Sequence, residues 1–119
     1  MIEACKMIED WNKNINSVDD FVTSYAGMKD LSANCMAIEA IGEGVKKIDK
    51  LIPEFFSSRF PDYNWKGLKG MRDKIAHGYF EIDADFVLDV VKNEINPLRA
   101  ILERAGLELR SMIADNSGE

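Results

Sequence analysis

Apolar residues recur at steps of three and four along nearly the whole chain, and this spacing restricts the fold more than any other feature. The longest series of this kind consists of Leu31, Cys35, Ile38, Gly42, Val45 and Ile48. No segment of the sequence shows the alternation of apolar and polar residues that a half-buried strand requires. The sequence therefore predicts an all-α fold, an up-and-down bundle of four main helices with short helices between them.

Capping residues and glycines predict the helix boundaries in the first half of the chain. The first helix opens at Met1 with no capping residue before it, so we expect it to fray there or the natural chain to begin further upstream. Ser17 and Asp20 resemble a capping box, which predicts a short helix that stops near Gly27. Asp30 is then expected to begin the longest helix.

Prolines and one aspartate predict the boundaries in the second half. Pro53 ends the longest helix, Asp83 caps a later one, and Pro97 kinks or restarts that helix. We expect one helical domain over residues 1–113 and a disordered tail over residues 114–119.

The longest helix contains a glycine and two carboxylates at informative positions. Gly42 interrupts the apolar seam at a cost of about 1 kcal/mol relative to alanine, so we expect a neighbouring helix to approach closely there. Glu39 and Glu43 share one helical face, where like charges repel slightly. They form either a solvated surface or a polar contact beside a functional site or a partner.

Charge is distributed unevenly along the chain. The 119 residues include 15 Lys or Arg and 21 Asp or Glu, a net charge of −6. The segment 46–74 nevertheless holds eight basic and four acidic residues, so it carries +4 while the remainder carries −10. This segment is either a solvated lysine surface or a surface for nucleic acid.

Cysteine usage and hydropathy predict the compartment. Cys5 and Cys35 have no neighbouring metal ligands, so we expect two buried, reduced thiols, no metal site and no cofactor. The sequence has no secretory signal and no run of about 20 apolar residues. We therefore expect a cytoplasmic protein without membrane contact.

A single histidine excludes some kinds of chemistry and leaves others. A di-iron bundle needs repeated Glu-x-x-His pairs, and the sequence also lacks phosphate-binding glycine loops and a nucleophile elbow. His77 instead follows Arg72 by five residues. An arginine can clamp a phosphate and a histidine can move protons near neutral pH, which suits metal-free cleavage of RNA.

The spacing of this pair sets a condition on its use. At about 100° per residue, Arg72 and His77 lie roughly 140° apart on an ideal helix. They can cooperate only if the helix ends or deforms before His77, or if a second chain completes the site. A purely structural histidine near a helix end is the alternative.

The segment MRDKIAHGYFEID, residues 71–83, resembles the signature of the HepT-like toxins of the HEPN superfamily. In that signature an arginine is followed by four residues, a histidine, any residue and a tyrosine, and Arg72, His77 and Tyr79 occupy these positions. AIEAIGEGVKKI, RFPDYNWKGLKGMRD and FVLDVVKNEINPLR are similar to other stretches of the family in the same order. The resemblance extends over about residues 2–109.

The resemblance implies a metal-independent ribonuclease that forms a homodimer, with the motifs of two chains facing a shared cleft. It implies that His77 is the general acid and base, that Arg72 clamps the phosphate, and that Asp73 supports them. The basic segment adds three expected RNA contacts, at Lys66, Lys69 and Lys74.

The resemblance also implies a type VII-like toxin–antitoxin pair. Tyr79 matches the tyrosine to which a minimal nucleotidyltransferase antitoxin (MntA-like) transfers AMP from ATP in related systems. The added bulk and negative charge would block RNA beside Arg72 and His77. The alternative is a non-catalytic HEPN module that binds such a nucleotidyltransferase through Tyr79.

Overall fold

A computed structural model of the chain describes the backbone of residues 1–77 and 83–117 and the side chains of residues 1–75 and 83–112. In chain order the elements are α1 (Ile2–Trp11), α2 (Asp19–Val22), α3 (Tyr25–Leu51), α4 (Phe55–Arg59), α5 (Trp65–His77), α6 (Ala84–Asp89), a π-helical turn (Val90–Glu94) and α7 (Ile95–Ser117). Every regular element within these ranges is helical, which confirms the all-α prediction.

The central element is α3, which packs against α1, α2 and α5, while α7 packs along α1. The inner face of α3 is fully buried at Ile38, Ile41 and Val45. The aromatic side chains that α4 and α5 add to the same core are Phe55, Phe56 and Trp65. Burying one such side chain stabilises the fold by about 1.5–3 kcal/mol. The buried face therefore holds α3 in place, and with it the groups on its outer face.

The start of α3 differs from the prediction. α2 ends well before Gly27, and α3 begins at Tyr25 instead of Asp30. The Oγ of Ser24 caps α3 by accepting a hydrogen bond from the Gly27 N–H at 2.9 Å. Gly27 is buried where a Cβ would collide with a backbone carbonyl of α2. This glycine therefore permits α2 to pack on α3 and does not end a helix.

The boundaries in the second half agree better with the sequence. α3 ends at Leu51, just before Pro53, because the residue preceding a proline is disfavoured in a helix. Asp83 caps α6, and its carboxylate accepts hydrogen bonds from two backbone N–H groups at 3.0 and 3.4 Å.

Pro97 lies inside α7, shortly after the π-helical turn that interrupts the α-helical pattern. A proline cannot donate the usual backbone hydrogen bond to the fourth preceding residue, and π turns are a common form of such interruptions. α7 continues to Ser117, into the segment 114–119 that the sequence predicts as a tail, and residues 118–119 lie outside the described residues.

Both cysteines lie in the core, as expected. Cys5 and Cys35 are fully buried and unpaired, and burial raises the pKa of each thiol to about 11. The thiols therefore stay protonated and unreactive at neutral pH. None of the helices within the described ranges has both the length and the apolar character needed to cross a bilayer.

Candidate functional site

The two helices that carry the candidate residues, α3 and α5, approach each other closely at Gly42. A Cβ atom placed on Gly42 of α3 would lie 2.8 Å from Cβ and 2.9 Å from Cγ of Arg72 on α5. The predicted close approach at this glycine is therefore confirmed. The structure adds that the group lying across the glycine is the aliphatic stem of the motif arginine.

Two carboxylates contact the guanidinium of Arg72, beyond the point where its aliphatic stem packs on Gly42. Its Nη1 donates a hydrogen bond to Asp73 at 2.9 Å, and its Nη2 forms an ion pair with Glu43 of α3. The hydrogen bond to Asp73 is the largest cause that raises the pKa of Arg72 above its ordinary value, and the charge of Glu43 adds to it. Glu43 is thus a polar contact beside the candidate site.

A cavity of about 200 Å³ opens beside the guanidinium and is lined by Gly42, Lys46, Lys69, Arg72 and Asp73. We call this cavity the α3–α5 notch. The Nζ of Lys69 forms an ion pair with Asp49 at 2.8 Å. Lys46 is exposed and forms no ion pair with any residue whose side chain the structure describes. The notch therefore presents one arginine and two lysines to solvent.

Of the three lysines expected to contact RNA, Lys69 alone lines the notch. The Nζ of Lys74 lies 5.9 Å from the centroid of the Phe86 ring on α6. Lys66 is exposed and does not line the notch. The positive charges of the basic segment are therefore spread over more than one surface.

The continuity of α5 limits how Arg72 and His77 can act together. α5 extends as an α-helix from Trp65 to His77, so the backbone does not leave the helix between Arg72 and His77. Positions five residues apart on an ideal helix are separated by roughly 140°. The His77 side chain and Tyr79 lie outside the described residues.

Sequence reasoning did not single out Lys46 or the contact between Glu43 and Arg72. The helical spacing contained a signal for Lys46, because it follows Gly42 by one turn and so shares its face. Nothing in the spacing indicated which helix would approach that face. That information comes only from the packing of α5 on α3.

We expect Gly42→Ala to destabilise the protein by about 1–3 kcal/mol, because the new methyl group would force Arg72 and α5 away from α3. Gly70→Ala on α5 is the matched control. It meets nothing within 4 Å, and we expect it to stabilise the helix by about 0.5–1 kcal/mol. Urea denaturation of both variants measures the difference, and equal changes of the same sign would contradict the close contact.

The all-α fold and the notch around Arg72 define a helical protein with a candidate anion-binding site, and comparison with known proteins gives its family. A family model described as Ribonuclease HepT-like matches residues 1–105. The chain belongs to this HepT-like ribonuclease family, which confirms the resemblance noted in the sequence.

Individual relatives support the same assignment. Over 102 residues the chain is 32% identical to "Probable ribonuclease HepT" of Thermococcus cleftensis, covering 86% of each chain. Over 120 residues it is 31% identical to a protein of Methanocaldococcus jannaschii named as a putative RNase, covering 100% of this chain and 86% of that protein. Another Methanocaldococcus jannaschii protein that is also named as a putative RNase is 35% identical over 104 residues. That match covers 87% of this chain and 79% of the relative. No solved structure gives a significant match.

Proposed function

We propose that this chain is a metal-independent ribonuclease toxin that cleaves RNA through Arg72 and His77. The observation that supports the proposal is the position of Arg72, the first residue of the HepT-like signature that the sequence resembles, in the α3–α5 notch. Relatives that match most of the chain are named as ribonucleases, which supports the same reaction class.

Arg72 is the group that stabilises the reacting phosphate. Its guanidinium carries five N–H donors; Nη1 donates one to Asp73, and Nη2 lies in ion-pair contact with Glu43. One N–H on each terminal nitrogen is then left for a phosphate oxygen. Its raised pKa keeps the group charged, so it can balance the extra negative charge of the pentacoordinate phosphorus in the transition state.

His77 supplies the proton transfers. The neutral imidazole accepts the proton of a ribose 2′-hydroxyl, and the resulting 2′-oxygen attacks the adjacent phosphorus. The bond from phosphorus to the 5′-oxygen breaks, and that oxygen takes up a proton as it leaves. The products are a 2′,3′-cyclic phosphate and a free 5′-hydroxyl. No step in this sequence requires a metal ion.

A homodimer is part of the proposal because Arg72 and His77 lie five positions apart on one α-helix, a spacing that separates them by roughly 140° on an ideal helix. Two copies related by symmetry can place the arginine of one chain near the histidine of the other. The proposal also places the protein in the cytoplasm, where its RNA substrate and a nucleotidyltransferase antitoxin that transfers AMP to Tyr79 are available.

The charges around the notch predict that RNA binding weakens moderately as salt rises. The three cations are Lys46, Lys69 and Arg72, and the carboxylates closest to them are Glu43, Asp49 and Asp73. Because these three positive and three negative charges balance, attraction of RNA depends on a few close contacts, and affinity should fall as salt rises with a slope set by that small number of phosphate contacts.

The proposal predicts that the purified, unmodified protein cleaves single-stranded RNA in the presence of EDTA and leaves 2′,3′-cyclic phosphate ends. Mass spectrometry of the products identifies the ends, and a chain heated beyond unfolding is the control. Absence of cleavage, together with stable association with a nucleotidyltransferase, would support the non-catalytic binding module instead. Cleavage that requires added divalent metal would contradict the reaction proposed for His77.

A further inference from the structure

Glu43 holds the candidate arginine from the central helix of the fold. It follows Gly42 directly, so the stem of Arg72 crosses α3 at the glycine and the guanidinium reaches the neighbouring carboxylate. The Arg72 side chain is only 20% exposed, and its buried Nε has no hydrogen-bond partner among the groups that the structure describes. Contacts at the other two nitrogens therefore set the orientation of the guanidinium.

The two carboxylates at those nitrogens are not equivalent. Asp73 is adjacent to Arg72 on α5, so its contact with the guanidinium lies within a single helix. Glu43 belongs to α3, whose inner face is fully buried in the core. A contact from a rigid helix to a side chain on another helix restricts both the side chain and the helix that carries it.

We propose that Glu43 is a positioning residue that fixes the Arg72 guanidinium so that its two remaining terminal N–H groups face the scissile phosphate of RNA. This inference rests on the proposed ribonuclease function. Glu43 acts through Arg72 and contacts no reacting atom itself. The gain is in orientation, since a charged group held in place before the reaction loses less freedom in the transition state.

A purely electrostatic role predicts tighter binding of RNA without the loss of kcat that a positioning role predicts. A carboxylate beside the arginine repels the phosphate of RNA, so its removal should strengthen binding whatever happens to the rate. A positioning role instead predicts a lower kcat on truncation with KM unchanged or lower. Comparing kcat with KM therefore separates positioning from a general contribution to affinity or stability.

The test compares Glu43→Ala, Glu43→Gln and Glu39→Ala. Alanine removes the acceptor, and we expect kcat to fall about 10–100-fold, the usual cost of losing a group that orients a functional side chain. Glutamine keeps an oxygen that accepts a hydrogen bond from Arg72, so we expect it to restore kcat to within about threefold of the wild type. Glu39 lies one turn earlier on the same face and is also half-buried. It forms no ion pair with the described side chains, and its alanine variant should keep the wild-type kcat.

Binding is measured separately with a 2′-O-methyl RNA, which cannot form the attacking oxygen. We expect Glu43→Ala to bind this RNA as tightly as the wild type or more tightly, with the helical circular dichroism spectrum unchanged. Wild-type kcat in Glu43→Ala, or an equal loss in Glu43→Gln, would overturn the positioning role while leaving the ribonuclease function intact. An inactive wild-type protein would instead contradict the ribonuclease function itself, so the two failures are distinguishable.

Discussion

Replacing His77 or Arg72 with alanine is expected to lower the rate of RNA cleavage by about 10³-fold. Loss of a general acid and base typically removes about 10²–10⁴-fold of rate. Loss of a group that stabilises developing charge removes about 10²–10³-fold. Arg72→Lys keeps the charge and the aliphatic stem over Gly42 but loses the planar fork, so it should recover only part of the activity.

Two controls keep this prediction specific. Lys29→Ala removes one positive charge from an exposed position near the start of α3 and should leave kcat unchanged. Circular dichroism and urea denaturation show whether each variant is folded. Full cleavage activity in a folded His77→Ala variant would contradict the assignment of this residue, and full activity in Arg72→Ala would contradict the role of the notch.

Incubation with ATP and an MntA-like nucleotidyltransferase is expected to add one to three AMP groups at Tyr79 and to abolish cleavage. The first AMP brings a bulky group with a negative phosphate close to the motif residues, which repels RNA and occupies its space. Intact-mass measurement before and after incubation counts the added groups, and peptide mapping locates them. The same samples are then assayed for cleavage of RNA.

The other two tyrosines provide internal controls for this experiment. Tyr25 is 94% exposed at the start of α3, and Tyr63 is partly buried against Trp65. A transferase that selected tyrosines by exposure alone would modify Tyr25. We expect Tyr79→Phe to stay unmodified and active in the presence of the antitoxin, while Tyr25→Phe behaves like the wild type. Modification at Tyr25 or Tyr63 would contradict the regulatory role of Tyr79.

The sequence predicted the helical class of the fold well, because apolar spacing records which face of each helix is buried. It predicted the start of α3 poorly. Because glycine is common at helix ends, the sequence predicts that Gly27 stops a helix, but Gly27 lies inside α3 where only a hydrogen atom fits beside α2. Which role a glycine has depends on the neighbouring element, and single-sequence spacing does not identify that neighbour.

The site was predictable in its parts and not in its assembly. The motif identified Arg72, and the cost of glycine in a helix pointed to a close contact at Gly42. In the structure Gly42 and the stem of Arg72 contact each other, because α5 packs on α3 at this position. Likewise, the sequence placed Lys74 with the other basic residues, whereas its amino group lies above Phe86 on α6.

The contact between Gly42 and the stem of Arg72 links two positions that are far apart in the chain. A relative with a larger residue at the position of Gly42 would have no room for an arginine held in this way. A relative that lacks the arginine has room for alanine at the position of Gly42, and alanine stabilises a helix more than glycine does. The pair of positions should therefore vary together among homologous chains. A glycine retained with the arginine would distinguish chains that preserve this site from those that preserve only the helical fold.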